Sequence, residues 1–266
     1  MVDPESTATP PQRIKLVVAY DGGAYAGWQW QKNALSAQER LEQAIEKLTG
    51  SFVRLHGSSR TDSGVHALGM VAHGDFVDLK VPIERLALAL NSLLPDDLRV
   101  QSAAPVPSYF HARFQALGKE YRYVVWNARA HNPLLRGLAW HVPGQLNLDA
   151  IRTAAPTFVG TKDFRSFANM HSYEIEDTVR TVTEVLARRA GPQLTFVIRG
   201  EGFLYRMCRT IVGTLIDVGL GKYSPVDIES MLSKERRSEA GQCAPAHGLT
   251  LWKVFYPPEC DPQTAR

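Results

Sequence analysis

Apolar and polar positions alternate through residues 13–20, RIKLVVAY, where Ile14, Leu16 and Val18 are set against Lys15, the period of a strand covered mainly on one face. Asp21, Gly22 and Gly23 then signal a turn, and Tyr25, Trp28 and Trp30 crowd the glycine-rich run YDGGAYAGWQWQ. Ser36 with Glu39 three residues later forms a capping box. It opens a helix with Leu41, Ala44, Ile45 and Leu48 on one face, ending near Gly50. SFVRLHG predicts a second short strand, and MVAHGDFVD, starting at Met70, a third. Pro82 suits a first helical turn, so IERLALALNSLL predicts a helix ending before Pro95, and LRVQSAAPV a fourth strand. The order strand, helix, strand, strand, helix, strand is that of a split βαβ or ferredoxin-like unit, not of a doubly wound parallel sheet.

A similar order begins again after Pro107. GKEYRYVVWN predicts a strong strand and GLAWHV a weaker one; Asn147 caps a helix through LDAIRTAAPTFVG. RTVTEVLARRA and QLTFVIRGEG predict two long strands separated by Gly191 and Pro192. A helix follows with Phe203, Met207, Ile211 and Leu215 along one side, then a shorter helix after Ser224-Pro225, and LTLWKVFY closes as a strand. The matching order predicts an α+β fold of two lobes whose sheets join and leave a cleft between them. The expected divisions are a disordered tail over 1–12, lobes over 13–107 and 108–256, and a loose tail over 257–266.

A chain of 266 residues with 44% apolar and 21% charged residues is ordinary for one large or two modest globular domains. The net charge is +3, and because Asp3 and Glu5 are the sole charges among the first twelve residues the remainder carries +5, mild support for a polyanionic partner. The most apolar run, Ile211 to Leu220, is short and interrupted by Asp217, so no membrane span is expected. The acidic, proline-rich start resembles neither a secretion signal nor a transit peptide, which predicts a cytoplasmic protein. Cys208, Cys243 and Cys260 follow no metal or redox spacing and read as reduced and structural. No HExxH pair, GxxxxGK[ST] loop or GxGxxG turn is present, so neither a metal site, nucleotide-dependent phosphoryl transfer nor dinucleotide redox chemistry is expected, and no cofactor is called for.

The chemistry concentrates in GSSRTDSGVHA, residues 57–67, where small residues frame Arg60, Thr61 and Asp62 on a predicted tight loop that a planar ligand can approach. An aspartate in such a loop commonly does no more than cap a turn; its possible partners lie elsewhere. Tyr121 and Tyr123 are two apart on a predicted strand and so point to one face, where a tyrosine can stack on a base and offer a hydroxyl, or simply fill the core. Arg206 and Arg209 are three apart on a predicted helix and share a side, either snorkelling to the rim or pairing with an anion such as Asp62. Leu249 and Leu251, starting the last strand, can wall a planar substrate or pack the core. Basic residues including Arg54, Arg60, Arg113, Lys119, Arg122, Arg180, Arg206 and Arg209 interleave with aromatics, the composition of an RNA-tracking surface.

SRTDSGVHA, taken with YDGGAYAGWQWQ, FHARF, GKEYRY, FLYRMCRTIVG and APAHGLTL, closely resembles the tRNA pseudouridine synthase A family, in order from about Arg13 to Tyr256. The resemblance implies two α+β lobes sharing a continuous, mainly antiparallel sheet (the pseudouridine synthase fold), a positively charged cleft, a homodimer and, as substrate, uridines at positions thirty-eight, thirty-nine and forty of the tRNA anticodon stem-loop. It carries the catalytic nucleophile onto Asp62, the adjacent substrate-binding arginine onto Arg60, the active-site tyrosine onto Tyr121, the carboxylate's arginine partner onto Arg209, and the apolar contact to the base onto Leu249. Ser59 and Ser63 depart from the glycine and alanine usual there. An isomerase needs no redox or energy carrier. Two other readings remain open at this point: an inactive tRNA-binding protein on the same scaffold, and a glycosidic hydrolase, which would need a second carboxylate as general acid.

Overall fold

The computed structural model describes residues 10–169, 177–233 and 240–260. One sheet runs through the molecule. Its strands are β1 (Gln12–Tyr20), β2 (His56–Gly57), β3 (His66–Phe76), β4 (Leu98–Pro105), β5 (Gly118–Trp126), β6 (Trp140–His141), β7 (Gly160–Asp163), β8 (Val179–Ala190), β9 (Gln193–Gly200) and β10 (Leu249–Phe255). The spatial order is β4-β1-β3-β10-β5-β9-β8-β7, with β2 on β3 and β6 on β5. Every pairing is antiparallel except β10 with β3 and β5 with β6. The helices are α1 (Ala37–Thr49), α2 (Ile83–Asn91), α3 (Leu148–Ala154), α4 (Met207–Gly219) and α5 (Pro225–Ser233). No helix among the described residues is long and apolar enough to cross a membrane.

The closing strand joins the two halves. Leu249 to Phe255 pair antiparallel with β5, while Thr250 and Leu251 pair parallel with His66 and Ala67 at the start of β3. Farther along the same edge of β3, His73 and Ala72 pair instead with β2. Beyond Ala67 that edge of β3 therefore passes from β10 to β2, and the cleft opens beside this change of partner.

The first half follows the sequence pattern closely. Ile14, Leu16 and Val18 are fully buried, and Leu41 and Ile45 of α1 are buried with them. Ser36 Oγ accepts the Glu39 N–H and Gly50 closes the helix. SFVRLHG is a strand only at its last two residues. Glu42 of α1 accepts the Leu55 N–H at 2.9 Å, so a helix side chain takes the bond a ladder would have made. The following strand starts at His66, not Met70, which draws the end of the central loop into the sheet.

Departures are more numerous in the second half. GLAWHV contributes only Trp140 and His141 to the sheet. The helix opened by Asn147 stays α-helical to Ala154 and then tightens to a 3-10 turn across Pro156, whose ring cannot continue it. β7 had no alternating pattern to announce it. Phe203 and Arg206 precede α4, which starts at Met207. Of the expected tails, residues 1–9 and 261–266 lie outside the described residues; Gln12 already belongs to β1, and Pro258–Cys260 is not loose but a 3-10 turn with Cys260 buried and its carbonyl accepting from Lys15 Nζ.

Candidate active site

Residues 58–65 connect β2 to β3 and form one wall of a cleft of about 1120 Å³, faced by Tyr121 of β5, Cys208 of α4, Leu249 of β10 and the segments His111–Phe114 and Phe203–Arg206. The loop is braced from beneath. Ser58 donates its N–H to the Val71 carbonyl at 2.8 Å, Tyr20 and Thr61 share a buried hydroxyl contact of 2.8 Å, and Val65 N–H closes a turn onto the Asp62 carbonyl at 3.1 Å. The aromatic-rich run packs against its back. Gly27 adopts φ +94°, and a Cβ there would stand 2.2 Å from the Thr61 carbonyl oxygen, so only glycine allows this approach. Tyr25 and Trp28 are core residues, as density of aromatics near a strand end suggests, whereas Trp30 is exposed beside the cleft.

Asp62 faces α4. Arg209 Nη1 donates to Asp62 Oδ2 at 2.8 Å, and both side chains are largely enclosed, 12% and 15% exposed. Arg209 is itself oriented by a second bond, Nε to the Ala244 carbonyl at 2.8 Å, returned by Ala244 N–H to the Arg209 carbonyl at 3.1 Å. Asp62 lines the cleft, and its pairing through Oδ2 fixes the counter-charge while Oδ1 has no hydrogen-bond partner among the described residues. The segment supplying Ala244 is anchored by buried Asp217 of α4, which accepts from Gln242 Nε2 and Lys222 Nζ.

Tyr121 and Tyr123 project from one face of β5, with different fates. Tyr123 is fully buried and donates its hydroxyl to the Pro245 carbonyl at 2.8 Å; Gly248 fits only because a Cβ would meet its ring at 2.5 Å. Tyr121 lines the cleft, edge-on to Phe203 at 5.4 Å, with its hydroxyl 3.1 Å from Ser59 Oγ. Burial raises the Tyr121 phenol well above its ordinary range, so it stays neutral. Burial does the same to the neighbouring Cys208 thiol, leaving it an inert wall. Leu249, in register with Tyr123, is 5% exposed and completes the apolar side.

The remaining predicted residues separate. Arg60 is exposed on the cleft wall with no hydrogen bond or ion pair among the described residues. Arg206 does not share a helix face with Arg209: it lies outside α4 in the left-handed region at φ 63°, its guanidinium over the Tyr205 ring at 4.9 Å. Arg122 is on the opposite face of β5 from Tyr121, stacked on Trp252 at 3.8 Å and bonded to Glu120, and takes no part in the cleft. Four participants escaped sequence reasoning: Gly27, the Ala244 carbonyl, Thr61 as a partner of Tyr20, and Ser59 as the partner of Tyr121. For Gly27 the signal was a glycine beside conspicuous aromatics; the others act through backbone or a small hydroxyl that no spacing distinguishes. Among the described residues no group of three His, Cys, Asp or Glu side chains is arranged to hold a metal ion.

A carboxylate paired with arginine, an apolar wall and a neutral tyrosine in one cleft suit the capture of a planar, uncharged ring beside a reacting carbon. Comparison with known proteins points to one family. The family model described as tRNA pseudouridine synthase matches residues 16–115 and 154–257. A protein of Acetivibrio thermocellus named tRNA pseudouridine synthase A is 44% identical over 92% of this chain and all of its own length. Proteins of the same name from Bacillus licheniformis and Bacillus subtilis are 45% and 44% identical, each over 92% of this chain and 99% of theirs. The chain belongs to the tRNA pseudouridine synthase family.

Proposed function

We propose that this protein isomerises uridine to pseudouridine at positions thirty-eight, thirty-nine and forty in the anticodon stem-loop of tRNA, acting as a homodimer and using Asp62 as its catalytic carboxylate. The observation that carries this reading is the Asp62–Arg209 pair at 2.8 Å inside a cleft that also holds Tyr121 and Leu249. The reaction breaks the N1–C1′ bond, turns the detached uracil and forms a C5–C1′ bond; the C5 proton is lost and N1 gains one, so atoms balance without a redox partner. Asp62 serves the first step as the nucleophile at C1′, or by taking a proton from the sugar; its second oxygen suits both.

Tyr121 then has a defined job. As a neutral phenol it stacks against the uracil and hydrogen-bonds, and it can relay the C5 proton only by passing on its own. Leu249 and Phe203 limit where the ring can turn while it is unattached. Arg60, free on the cleft wall, is available to occupy space vacated by a nucleotide turned out of the stem or to hold a phosphate, repaying a few kcal/mol of lost stacking.

The test is release of tritium from tRNA carrying 5-tritiated uridine, comparing the protein with Asp62→Asn. Release by the parent, none by a variant that still binds tRNA, is expected. Equal release by both would remove Asp62 from the mechanism. Absence of release from the parent would leave a tRNA-binding protein. Sedimentation at working concentration checks the homodimer.

A further inference from the structure

Among the described residues, the cleft lining contains one carboxylate, Asp62, which Arg209 already satisfies, and five Lys or Arg side chains: Arg60, Arg113, Lys119, Arg180 and Arg206. Four of these are arginines, which stay charged wherever they stand. Lys119 differs. It is the second residue of β5, paired with Gly200 on one side and Val254 on the other, and two residues before Tyr121, hence on the same face. It is partly buried, yet makes no hydrogen bond or ion pair among the described residues. Among the described residues the groups facing it are Arg113, which repels it, and the Cys208 thiol, which burial keeps neutral.

A partly buried ammonium without an anion lowers stability, and a lysine's flexible stem would ordinarily let it snorkel to water. Beside a second cation, and with no anion for it among the described residues, Lys119 is compensated when the ligand brings one. We propose that Lys119, with Arg113, receives a phosphodiester of the tRNA strand next to the target uridine, a binding site distinct from the Asp62–Arg209 pair. This rests on the reading of the cleft as a tRNA isomerase site. A backbone phosphate is the anion that fits, because Lys119 and Arg113 line the same cleft while Asp62, the one carboxylate of its lining among the described residues, is already held by Arg209.

Burial and Arg113 lower the Lys119 amine to about 8, and a bound phosphate would raise it again. The sign follows: binding is complete below pH 8 and weakens above it, where each complex must take up a proton. Affinity should fall about tenfold between pH 7 and pH 9. Lys119→Arg, charged throughout, should bind like the parent at pH 7 and lose this fall.

The experiment measures tRNA affinity against pH and salt, together with single-turnover tritium release, for the parent, Lys119→Met and Lys119→Arg. Lys119→Met should bind about tenfold more weakly, with a log–log salt slope shallower by about 0.7, while bound tRNA reacts within about threefold of the parent rate. Its melting temperature should rise by about 2 °C, since an unpaired charge is removed; a merely structural lysine would lower it. Unchanged affinity, slope and pH profile in Lys119→Met would overturn the proposal, as would a lost rate at unchanged affinity. A parent that binds tRNA but releases no tritium overturns the isomerase reading instead, while the salt and pH data still judge Lys119.

Discussion

Asp62 and Arg209 stand 147 positions apart and meet at 2.8 Å with little water around them. Each is the other's main compensation. Arg209→Met should therefore cost stability as well as activity, about 3 kcal/mol, because an enclosed carboxylate is left without its cation. Asp62→Asn, which preserves an acceptor for Nη1, should lose product formation with a much smaller change in the urea midpoint. Ser59 and Tyr121 form a subtler pair. Ser59→Gly deletes the 3.1 Å partner of the phenol, so turnover should fall about three- to tenfold at nearly constant affinity. A change confined to affinity would count against a positioning role for Ser59.

His73, behind the cleft wall, offers a pH test of stability. It is 2% exposed, accepts the Ala112 N–H at Nδ1, stacks on His56 and meets His111 edge-on, with Arg13 nearby. Burial, reinforced by His111, Arg13 and His56, lowers it to about 4. The unfolded chain takes up a proton near pH 6.5 that the folded chain refuses until about 4. Stability is thus complete above pH 6.5 and declines as pH falls through this window, by roughly 3 kcal/mol at its lower end. Unfolding midpoints at pH 7 and pH 4.5 should differ less in His73→Asn than in the parent.

Among the elements, two junctions hold the site in shape. The aromatic-rich segment approaches the Asp62 loop so closely that Gly27→Ala should cost more than about 2 kcal/mol and displace Thr61, reducing turnover along with the melting temperature. The start of α4 carries the opposite signature. Arg206 holds a left-handed backbone that an L-residue adopts at a cost of about 1–2 kcal/mol, and its buried Nε has no hydrogen-bond partner among the described residues. Arg206→Gly should accordingly raise thermal stability by about 1 kcal/mol; a fall would mean that the side chain's contact with Tyr205 outweighs the backbone strain.

For the molecule as a whole, β10 is the decisive element, since it hydrogen-bonds to both β3 and β5. Leu251 is fully buried at that junction. Leu251→Ala should destabilise the protein by about 2–5 kcal/mol and shift, by the same amount, transitions reported by probes in either half. Separate transitions would show that the shared strand does not couple them. The cleft lies where β3 changes partner, so the same variant should weaken tRNA binding at temperatures where both halves are still folded.

Local physics wrote much of this into the chain. Period-two alternation marked β1 and β5, the Ser36–Glu39 cap and Gly50 bounded α1, and the small residues around Arg60, Thr61 and Asp62 marked the reactive loop, because each depends on neighbours within a few residues. The order of elements likewise implied two similar lobes sharing one sheet. What needed the folded chain were the long-range facts: SFVRLHG surrendering its ladder bond to Glu42, Arg206 leaving the helix while Arg209 stays on it, the Ala244 carbonyl steering the arginine, and a partly buried Lys119 in the cleft with Tyr121 and with no partner among the described residues. Those outcomes depend on which side chain from a distant segment reaches a backbone group first and on what charge remains uncompensated when the halves close, and no periodicity encodes either.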